Sequence, residues 1–328
     1  MNTFASDVDE EDTREEILNF SLKTLAQSEI DELIEYICQL DSELNLSKPL
    51  EKIYKEDDFI NQEINSNYTG ETSLKHLKQI SSIVGHIKES RNADSQKKEC
   101  FIELGAGRGK LSHWLSLSLK DSNVKYLLVE RGSQRFKFDG QHSGNETSFN
   151  RIRMDIKNLY LSELDLVKEC DQLTLYGKHL CGPATDFTLR SLKRTLKEED
   201  KKFTGLFLAV CCHHYLEWNL FCGKKFFKKF NLTRKQFYMI RNMTSWATCG
   251  PSQSTTTECN ENEKHLDKEK IGYMCKNLID MARSSYLANN DDDVGNNNEI
   301  KFSTKLFYYC DKNVTLENRM LFVAPLKC

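Results

Sequence analysis

The segment CFIELGAGRGK, from Cys100 to Lys110, constrains the fold more than any other part of the sequence. A strand-like apolar run ends in the glycines Gly105, Gly107 and Gly109, and a helical pattern, KLSHWLSLSLK, follows at once. Glycine allows a tight turn and a close approach of the backbone to a ligand, because it has no Cβ. The segment therefore predicts a strand, a turn and a helix that hold a nucleotide-type cofactor.

From residue 100 onward, short apolar runs alternate with helical patterns, which is typical of βαβ units. The predicted strands lie near 100–104, 125–130, 151–155, 173–178 and 205–211. The predicted helices lie at about 110–120, 157–169 and 184–197. The end of the chain, KLFYYCDKNVTLENRMLFVAPL, predicts two strands joined by a polar turn. We therefore expect an α/β, Rossmann-like fold with a doubly wound, mostly parallel sheet and a C-terminal antiparallel hairpin.

This order of elements distinguishes between two classes of cofactor. Strands of βα type followed by a terminal hairpin are the order of class I S-adenosylmethionine-dependent methyltransferases, whose last strand inserts antiparallel. A dinucleotide-dependent dehydrogenase would more naturally continue with further βα units. We therefore favour S-adenosylmethionine as the cofactor, and a hydride-transfer cofactor is the alternative.

The residues before this region predict a helical extension. Apolar residues recur at helical spacing between 14 and 40, which predicts a helix with a docking face. Residues 41–70 are polar, end in SNYTG and are expected to form a linker. A second helix is predicted from Ser73 to Ser90.

Two domains follow from this organisation. We expect residues 1–70 to form an acidic tail with a helical extension, and residues 71–328 to form the methyltransferase domain. That domain carries polar loop insertions near 250–267 and 289–298.

Composition and charge limit the classes of function. The 328-residue chain has a formal net charge of -3, so contact with a nucleic acid would require a local basic patch. Its acidic start, MNTFASDVDEEDTREE, is unlike a signal or transit peptide, and no apolar stretch is long enough to cross a bilayer. We expect a soluble protein of the cytoplasm, the nucleus or both, whose 12 cysteines are reduced thiols.

Three acidic residues at predicted strand ends are candidates for contact with the cofactor. Glu130 closes the second strand at the distance from the glycines expected of an acid that hydrogen-bonds ribose hydroxyls. Glu103 directly precedes the turn, where an acid in methyltransferases helps to place the amino-acid moiety of the cofactor. Asp155 ends the third strand, at a position that usually faces the adenine. The alternative for Glu130 and Asp155 is that both are solvated acids at the edge of the sheet.

Two unusual segments end predicted strands at the edge of the sheet where ligands bind. LYGKHLCG ends the fourth strand and LAVCCHHYLEW the fifth. A lysine or histidine there can take a proton from a hydroxyl, or orient it, when burial or neighbouring cations keep it neutral near pH 7. Lys178 and His179 are the first candidates for this catalytic role, and His213 is the second choice.

The same segments are dense in cysteine and histidine, which raises the question of zinc. Four consecutive residues, CCHH, cannot all converge on one tetrahedral ion, although two of them together with Cys181 or Cys249 could do so. Small buried thiols beneath the edge of the sheet are the alternative, above all for Cys211. We therefore expect no metal ion.

A basic segment between Trp218 and Arg241 is the candidate for contact with a polyanion. It contains no Asp or Glu, and aromatic residues alternate with its cations. The candidate RNA-binding residues are Lys224, Lys225, Lys228, Lys229, Arg234, Lys235 and Arg241. Cations bind phosphates, and aromatic rings can stack on bases. For the aromatic residues we favour packing in the core, and for the cations we favour contact with RNA over a merely solvated helix.

The chain from about Ser73 to Leu326 resembles the eukaryotic tRNA 2′-O-methyltransferases that modify the fourth nucleotide of the acceptor stem. The matching segments are LKHLKQISSIVGHI, FIELGAGRGKLSHWL, LVERGSQRFKFDG, YGKHLCGPATDFTLRSL, LAVCCHHYLEW, MTSWATCG and LFVAPL. Several are long and unusual in composition, above all GKHLCG and CCHH, so the resemblance is specific.

The resemblance implies S-adenosylmethionine as donor, tRNA as substrate and a ribose 2′-hydroxyl as acceptor. It places the cofactor loop at Glu103–Gly109 and the strand-end acids at Glu130 and Asp155. Family members commonly begin with small zinc-binding modules, whereas only Cys38 and Cys100 lie in the first hundred residues of this chain. The two alternatives are a related methyltransferase with another substrate and a non-catalytic RNA-binding scaffold with this fold.

Overall fold

The computed structural model describes residues 20–67, 70–91, 96–135, 137–142, 148–198, 202–248, 267–288 and 301–326. The helices are α1 (Gln27–Leu44), α2 (Asp58–Asn67), α3 (Glu71–Ser90), α4 (Lys110–Leu119), α5 (Asp165–Lys168), α6 (Ala184–Glu198), α7 (Lys224–Lys229), α8 (Arg234–Met243) and α9 (Lys268–Ala288). The strands are β1 (Glu51–Lys52), β2 (Glu99–Leu104), β3 (Val124–Val129), β4 (Ser148–Ile152), β5 (Gln172–Lys178), β6 (Lys202–Val210), β7 (Phe302–Tyr308) and β8 (Arg319–Pro325).

The strands form one sheet in the order β1-β7-β8-β6-β5-β2-β3-β4. Strands β2 to β6 pair in parallel with one another, whereas β8 is antiparallel to both of its neighbours, β6 and β7. The predicted Rossmann-like sheet and its C-terminal hairpin are therefore confirmed.

The order of the strands creates a switch point between β2 and β5. From β2 the chain continues to β3 on one side, and it later returns to β5 on the other side of β2. Ligands of doubly wound sheets bind outside the carboxyl ends of the strands at such a point. The glycine loop directly follows β2, and Lys178 ends β5. The cofactor loop and the first catalytic candidate therefore lie on the same edge.

Helices cover both faces of the sheet, which explains why the central strands are mostly apolar. All six residues of β2 are buried. Phe101 packs in a cluster with α3 and α4, and the next residue, Ile102, packs with α6 on the opposite face. This arrangement confirms that the sheet is doubly wound.

A third apolar cluster, which we call the helical cap, joins α1, α7, α8 and α9 to the turns that follow β6. Ile37 of α1 and Phe237 of α8 are both fully buried in it. The apolar stripe predicted for the first helix is therefore a docking face, as expected. Within the described residues that helix begins at Gln27, after a short 3₁₀ turn that Ser21 caps.

The linker predicted over 41–70 is wrong. Strand β1 extends the sheet by pairing in parallel with β7, and α2 packs on α3. Both elements are short and lie at the surface, so the sequence contains few apolar residues to reveal them. Ile60 is fully buried, and its backbone N–H donates to Asp57 Oδ1 (3.0 Å) at the start of α2.

The continuous helix predicted over 157–169 is also wrong. Two 3₁₀ turns and the short α5 occupy this stretch. The carbonyl of Leu159, which would accept a hydrogen bond within a helix, instead accepts one from the Ser191 hydroxyl of α6 (2.9 Å). A hydrogen bond from a distant helix therefore replaces the one that a continuous helix would supply.

Several other expectations concern the chain as a whole. Cys249 and both predicted insertions, apart from Asp267, lie outside the described residues. The cysteines in the described ranges are free thiols. Among the described helices, none combines the length and the apolar character that crossing a membrane requires.

Candidate active site

The glycine loop turns through three positive backbone angles. φ is 63° at Gly105, 50° at Gly107 and 79° at Gly109, in a region that residues with a Cβ adopt only at a cost. A Cβ at Gly105 would lie 2.7 Å from Leu180 Cδ2, whereas one at Gly107 would meet nothing within 4 Å. The positive φ and this close approach both favour glycine at position 105. Position 107 faces open space, into which a ligand can approach the backbone.

Glu130 is fixed beside this loop by backbone donors. The Gly107 N–H donates to its Oε2 (2.8 Å), and the Gly132 N–H donates to its Oε1 (2.7 Å). A carboxylate oxygen has more than one acceptor site, so the held carboxylate can still accept ribose hydroxyls. The Arg151 guanidinium donates to the carbonyl of Gly107 (2.8 Å), and this bond ties the loop to β4.

Glu103 is buried at the end of β2. Its Oε2 accepts hydrogen bonds from the Ser112 N–H (3.0 Å) and from the Ser112 hydroxyl (2.5 Å). The same hydroxyl lies 2.7 Å from the phenolic oxygen of Tyr176. Glu103 therefore links the glycine loop to the first turn of α4. Its contact with the amino-acid moiety of a cofactor stays a prediction.

Asp155 lies two strands away from the glycine loop and caps a 3₁₀ turn. Its Oδ1 accepts a hydrogen bond from the Lys157 N–H (2.9 Å), and its Oδ2 lies 3.9 Å from Arg131 Nη1. Both side chains are substantially exposed. A contact between Asp155 and an adenine ring stays a prediction.

Lys178 ends β5 as a half-buried side chain next to the end of β2. Burial and the neighbouring charge of Lys110 lower its pKa from 10.5 to about 8. Its Nζ lies 3.2 Å from His76 Nδ1. Lys178 therefore carries a useful fraction of neutral amine near neutral pH, which a proton acceptor requires.

His76 is a residue of this edge that the sequence pattern did not reveal. It lies on α3, and burial and the charge of Lys178 lower its pKa. His179 follows Lys178 with a left-handed φ of 65°, and its ring centroid is 6.4 Å from that of His76. Burial and Lys178 also lower the pKa of His179. The two imidazoles and the amine thus form one group of bases whose pKa values are all lowered.

His213 points into the interior, away from this group. Its Nε2 lies 2.8 Å from Asp280 Oδ1, and both side chains are fully buried. Burial lowers the pKa of His213, so a neutral ring donates its Nε2–H to Asp280. Two arginines balance the carboxylate, with Arg319 Nη1 at 3.1 Å and Arg283 Nη1 at 3.5 Å. The structure therefore places His213 in a buried polar network and not beside Lys178.

We expect Asp280→Asn to destabilise the protein by about 3–5 kcal/mol, because it leaves the buried Arg319 guanidinium without its carboxylate partner. It also removes one of the two carboxylates beside Arg283, which keeps its ion pair with Asp186 (2.8 Å). Burial alone would raise the pKa of Asp280, but His213, Arg319 and Arg283 outweigh it and hold that pKa well below 3.8. The pKa of Asp280 is thus lower in the folded protein than in the unfolded chain, where it is about 3.9. The ionised carboxylate therefore stabilises the folded state above that pH, and this contribution is lost as the pH falls below it. Urea unfolding at pH 7 measures the first effect, and the pH dependence of unfolding below about pH 3.9 measures the second.

Glu269→Gln is the matched control for that change, because Glu269 is an exposed acid on the same helix. We expect its free energy of unfolding to stay within about 0.5 kcal/mol of the wild type. Equal losses in the two variants would contradict the role assigned to the buried network.

Three thiols meet where β5 and β6 end. Cys181 Sγ lies 3.6 Å from Cys211 Sγ, and the Sγ atoms of Cys181, Cys211 and Cys212 all lie within 4.8 Å of one another. A hydrogen bond with Cys211 lowers the pKa of Cys181 to about 6, whereas that bond and burial raise the pKa of Cys211 far above 9.0. Cys211 is buried, as expected. We call these three residues the thiol cluster.

Glu317, just before β8, is a second residue that the sequence pattern did not reveal. Its Oε2 accepts a hydrogen bond from Lys276 Nζ (2.7 Å), and the Lys276 side chain is buried in α9. The pKa of Cys212 is raised to about 11, mainly by burial and to a smaller extent by Cys181 and Glu317. Nothing in its local sequence marks Glu317 as a site residue, because only the fold brings it to this edge.

The basic segment divides into exposed cations and buried aromatic residues. Phe227 and Phe237 are fully buried in the helical cap, which confirms the expectation that the aromatic residues pack in the core. Lys225, Lys228 and Lys229 of α7 are exposed. Lys224 and Arg234 are partly exposed.

Several members of the predicted RNA-binding set have partners within the protein, among them Lys224 over the Trp218 ring and Lys229 over the Phe230 ring. Arg241 is buried, donates to the carbonyl of Leu216 (3.1 Å) and lies over the Tyr238 ring, so its place in an exposed patch is wrong. Lys235 is exposed but forms an ion pair with Glu29 of α1. We call the exposed lysines of α7, which are Lys225, Lys228 and Lys229, the α7 lysines.

A family model described as "Methyltransferase TRM13" matches residues 78–324. The chain belongs to this family. The match includes the glycine loop, the segments that end β5 and β6, and nearly all of the terminal hairpin. Together with the strand order, membership of the TRM13 family establishes the class I methyltransferase fold.

Curated relatives carry the same family name. The chain is 32% identical over 388 aligned residues to the tRNA:m(4)X modification enzyme TRM13 homolog of Mus musculus, and the match covers 97% of this chain and 77% of the relative. The corresponding Homo sapiens protein is 33% identical over 78% of this chain and 66% of its own length. The Debaryomyces hansenii enzyme is 30% identical over 77% of this chain and 60% of its own length. The chain thus spans roughly two thirds of these TRM13 proteins.

Solved structures align with the TRM13 chain only loosely. The plantazolicin methyltransferase BpumL in complex with SAH is 10% identical, covers 92% of this chain and 99% of its own, and gives a TM-score of 0.35. Coclaurine N-methyltransferase bound to N-methylheliamine and SAH is 13% identical, covers 95% and 97%, and gives a TM-score of 0.33.

Proposed function

We propose that this chain transfers the methyl group of S-adenosylmethionine to the ribose 2′-hydroxyl of the fourth nucleotide of the tRNA acceptor stem. Membership of the TRM13 family carries the proposal, because the curated relatives are named as tRNA:m(4)X modification enzymes. The edge of the sheet supports it, since a glycine loop with a fixed acid lies beside an amine of lowered pKa.

The residues of the cofactor side fit S-adenosylmethionine. Gly107 leaves room for a ligand against the backbone, and the carboxylate of Glu130 is fixed beside the loop. The cofactor supplies an electrophilic methyl group when bound. The role of this chain is then to bind it, to hold a hydroxyl in line with the methyl group and to accept the proton of that hydroxyl.

Lys178 is our candidate for the proton acceptor, with His76 beside it. When the amine is neutral, its lone pair can take the 2′-hydroxyl proton, and the neutral His76 ring orients it through the 3.2 Å contact. His179 lies beside them and is a second candidate for orienting the hydroxyl. We assign His213 a positioning role, since it is buried on Asp280.

Nucleoside mass spectrometry after incubation of tRNA with the protein and labelled S-adenosylmethionine tests the proposed reaction. We expect one labelled 2′-O-methylnucleoside, and fragments of the product should locate it at the fourth nucleotide. Label on a base would favour a related methyltransferase with another acceptor. Tight cofactor and tRNA binding without any label would favour a non-catalytic RNA-binding scaffold.

The α7 lysines are our candidates for binding tRNA phosphates. We expect Lys225→Ala, Lys228→Ala and Lys229→Ala together to weaken tRNA binding and to reduce the slope of log Kd against log salt by about one for each phosphate that the variant no longer neutralises. Filter binding at several salt concentrations measures the slope.

A matched variant carries Lys98→Ala, Lys120→Ala and Lys168→Ala. These exposed lysines lie at the edge of the sheet where the parallel strands begin, opposite the glycine loop. Lys98 and Lys168 precede β2 and β5, and Lys120 follows the end of α4. The two triple variants change the net charge equally, so a general charge effect would lower the salt slope in both. An unchanged slope in the α7 variant would contradict a phosphate-binding role for this surface.

A further inference from the structure

The thiol cluster joins two segments that are distant in sequence. Cys181 lies in the loop between β5 and α6, three residues after Lys178, whereas Cys211 and Cys212 directly follow β6. Their sulfur atoms nevertheless lie within 4.8 Å of one another. The cluster therefore spans the loop that carries the proposed proton acceptor and the end of the neighbouring strand.

The backbone turns sharply to bring two consecutive cysteines to one place. Successive side chains of an extended chain point in opposite directions, yet Cys211 and Cys212 both reach the cluster. Cys212 has a left-handed φ of 49°, a conformation that costs a residue with a Cβ about 1–2 kcal/mol. This turn directs its thiol toward the other two.

Contrary to the expectation from the sequence that no metal ion binds, we propose that the thiol cluster binds a zinc ion through the sulfur atoms of Cys181, Cys211 and Cys212. Tetrahedral zinc has Zn–S bonds of about 2.3 Å, which places two ligand sulfurs roughly 3.8 Å apart. The observed separation of 3.6 Å between Cys181 Sγ and Cys211 Sγ is close to that value. The third sulfur lies within 4.8 Å of the other two, so each of its distances must shorten by at most about 1 Å to reach the same value.

The donor set also decides the class of metal. Thiolates favour soft or borderline ions such as Zn²⁺ over Mg²⁺ and Ca²⁺, which prefer oxygen ligands. Within the described residues, these three sulfurs are the potential metal-ligand atoms that all lie within 4.8 Å of one another. The fourth position of the tetrahedron is therefore left for water.

A metal ion here would hold the loop after β5 against the end of β6. Because Lys178 and His179 begin that loop, the ion would fix their positions without touching the substrate. This site does not depend on the proposed tRNA substrate, since metal binding can be measured without any substrate.

Metal content of the full chain tests the proposal. The protein is purified without a polyhistidine tag, loaded with zinc under reducing conditions and dialysed against metal-free buffer. We expect about one zinc ion per chain, measured by elemental mass spectrometry. A mercurial that blocks the thiols should release the same amount of zinc to a colorimetric chelator. Replacement by Co²⁺ should give a sulfur-to-cobalt charge-transfer band and strong visible bands typical of tetrahedral cobalt.

Variants locate the ion. Cys181→Ser and Cys212→Ser should each reduce bound zinc to background, whereas Cys38→Ser, which removes an exposed thiol of α1, should retain it. Wild-type protein without tightly bound zinc would overturn the proposal, as would equal zinc loss in the Cys38→Ser control. A Cys181–Cys211 disulfide in freshly isolated protein, found by peptide mass spectrometry, would also overturn it. The cobalt spectrum of the wild type keeps the test decisive even if a serine variant fails to fold.

Discussion

Gly107→Arg is expected to abolish measurable binding of S-adenosylmethionine. A Cβ at this position meets no protein atom within 4 Å, so the long side chain would extend into the space that the cofactor needs. The positive φ of 50° adds backbone strain. We expect the affinity to fall at least a hundredfold, which corresponds to about 2.7 kcal/mol. Isothermal titration calorimetry with S-adenosylmethionine measures the loss.

Gly140→Arg is the control for the added bulk and charge. Gly140 is exposed, and a Cβ there also meets nothing within 4 Å. Its φ lies outside the positive range, so the substitution adds no comparable strain. We expect this variant to bind S-adenosylmethionine normally. Wild-type affinity in folded Gly107→Arg protein would show that the glycine loop is not the cofactor site.

The parallel strands were the most predictable part of the fold. A strand that is buried on both faces appears in the sequence as a short apolar run, and β2 begins within one residue of its predicted start. Helix α9 was not predicted, although it is the longest helix described. It buries Lys276, Asp280 and Arg283 together with its apolar residues. These charges interrupt the apolar periodicity, and only their ion pairs explain why they are buried.

The candidate site was predictable where its residues follow strands, and not elsewhere. The sheet brings Gly107, Glu130 and Lys178 to one edge because each lies at the carboxyl end of a parallel strand. His76 and Glu317 reach that edge from α3 and from the loop before β8, and no local pattern reports such tertiary contacts. His213 follows a strand as predicted, but its side chain turns inward to Asp280. Its direction depends on the left-handed turn at Cys212, which the sequence does not reveal.

Lys178→Ala is expected to leave the affinity for S-adenosylmethionine nearly unchanged and to lower turnover at least tenfold, because a positioned general base contributes about 10²- to 10⁴-fold. A pKa lowered from 10.5 to about 8 raises the neutral fraction of the amine at pH 7, by roughly 300-fold. The neutral amine is the active form, so the wild-type rate should rise with pH up to about 8 and level off above it. Single-turnover rates with saturating cofactor and tRNA, measured across this range, follow the titration.

Two further variants separate proton transfer from charge and from folding. Lys178→Arg keeps a cation of similar length that stays protonated at every pH tested. If Lys178 accepts the proton, this variant should be as slow as Lys178→Ala and should lose the rise in rate below pH 8. If Lys178 only orients the hydroxyl through its charge, the arginine should restore much of the rate and flatten the pH profile. Lys98→Ala changes an exposed lysine at the opposite edge of the sheet and should leave both the rate and the pH profile unchanged. That result would show that the loss of turnover in Lys178→Ala is specific to the amine beside His76.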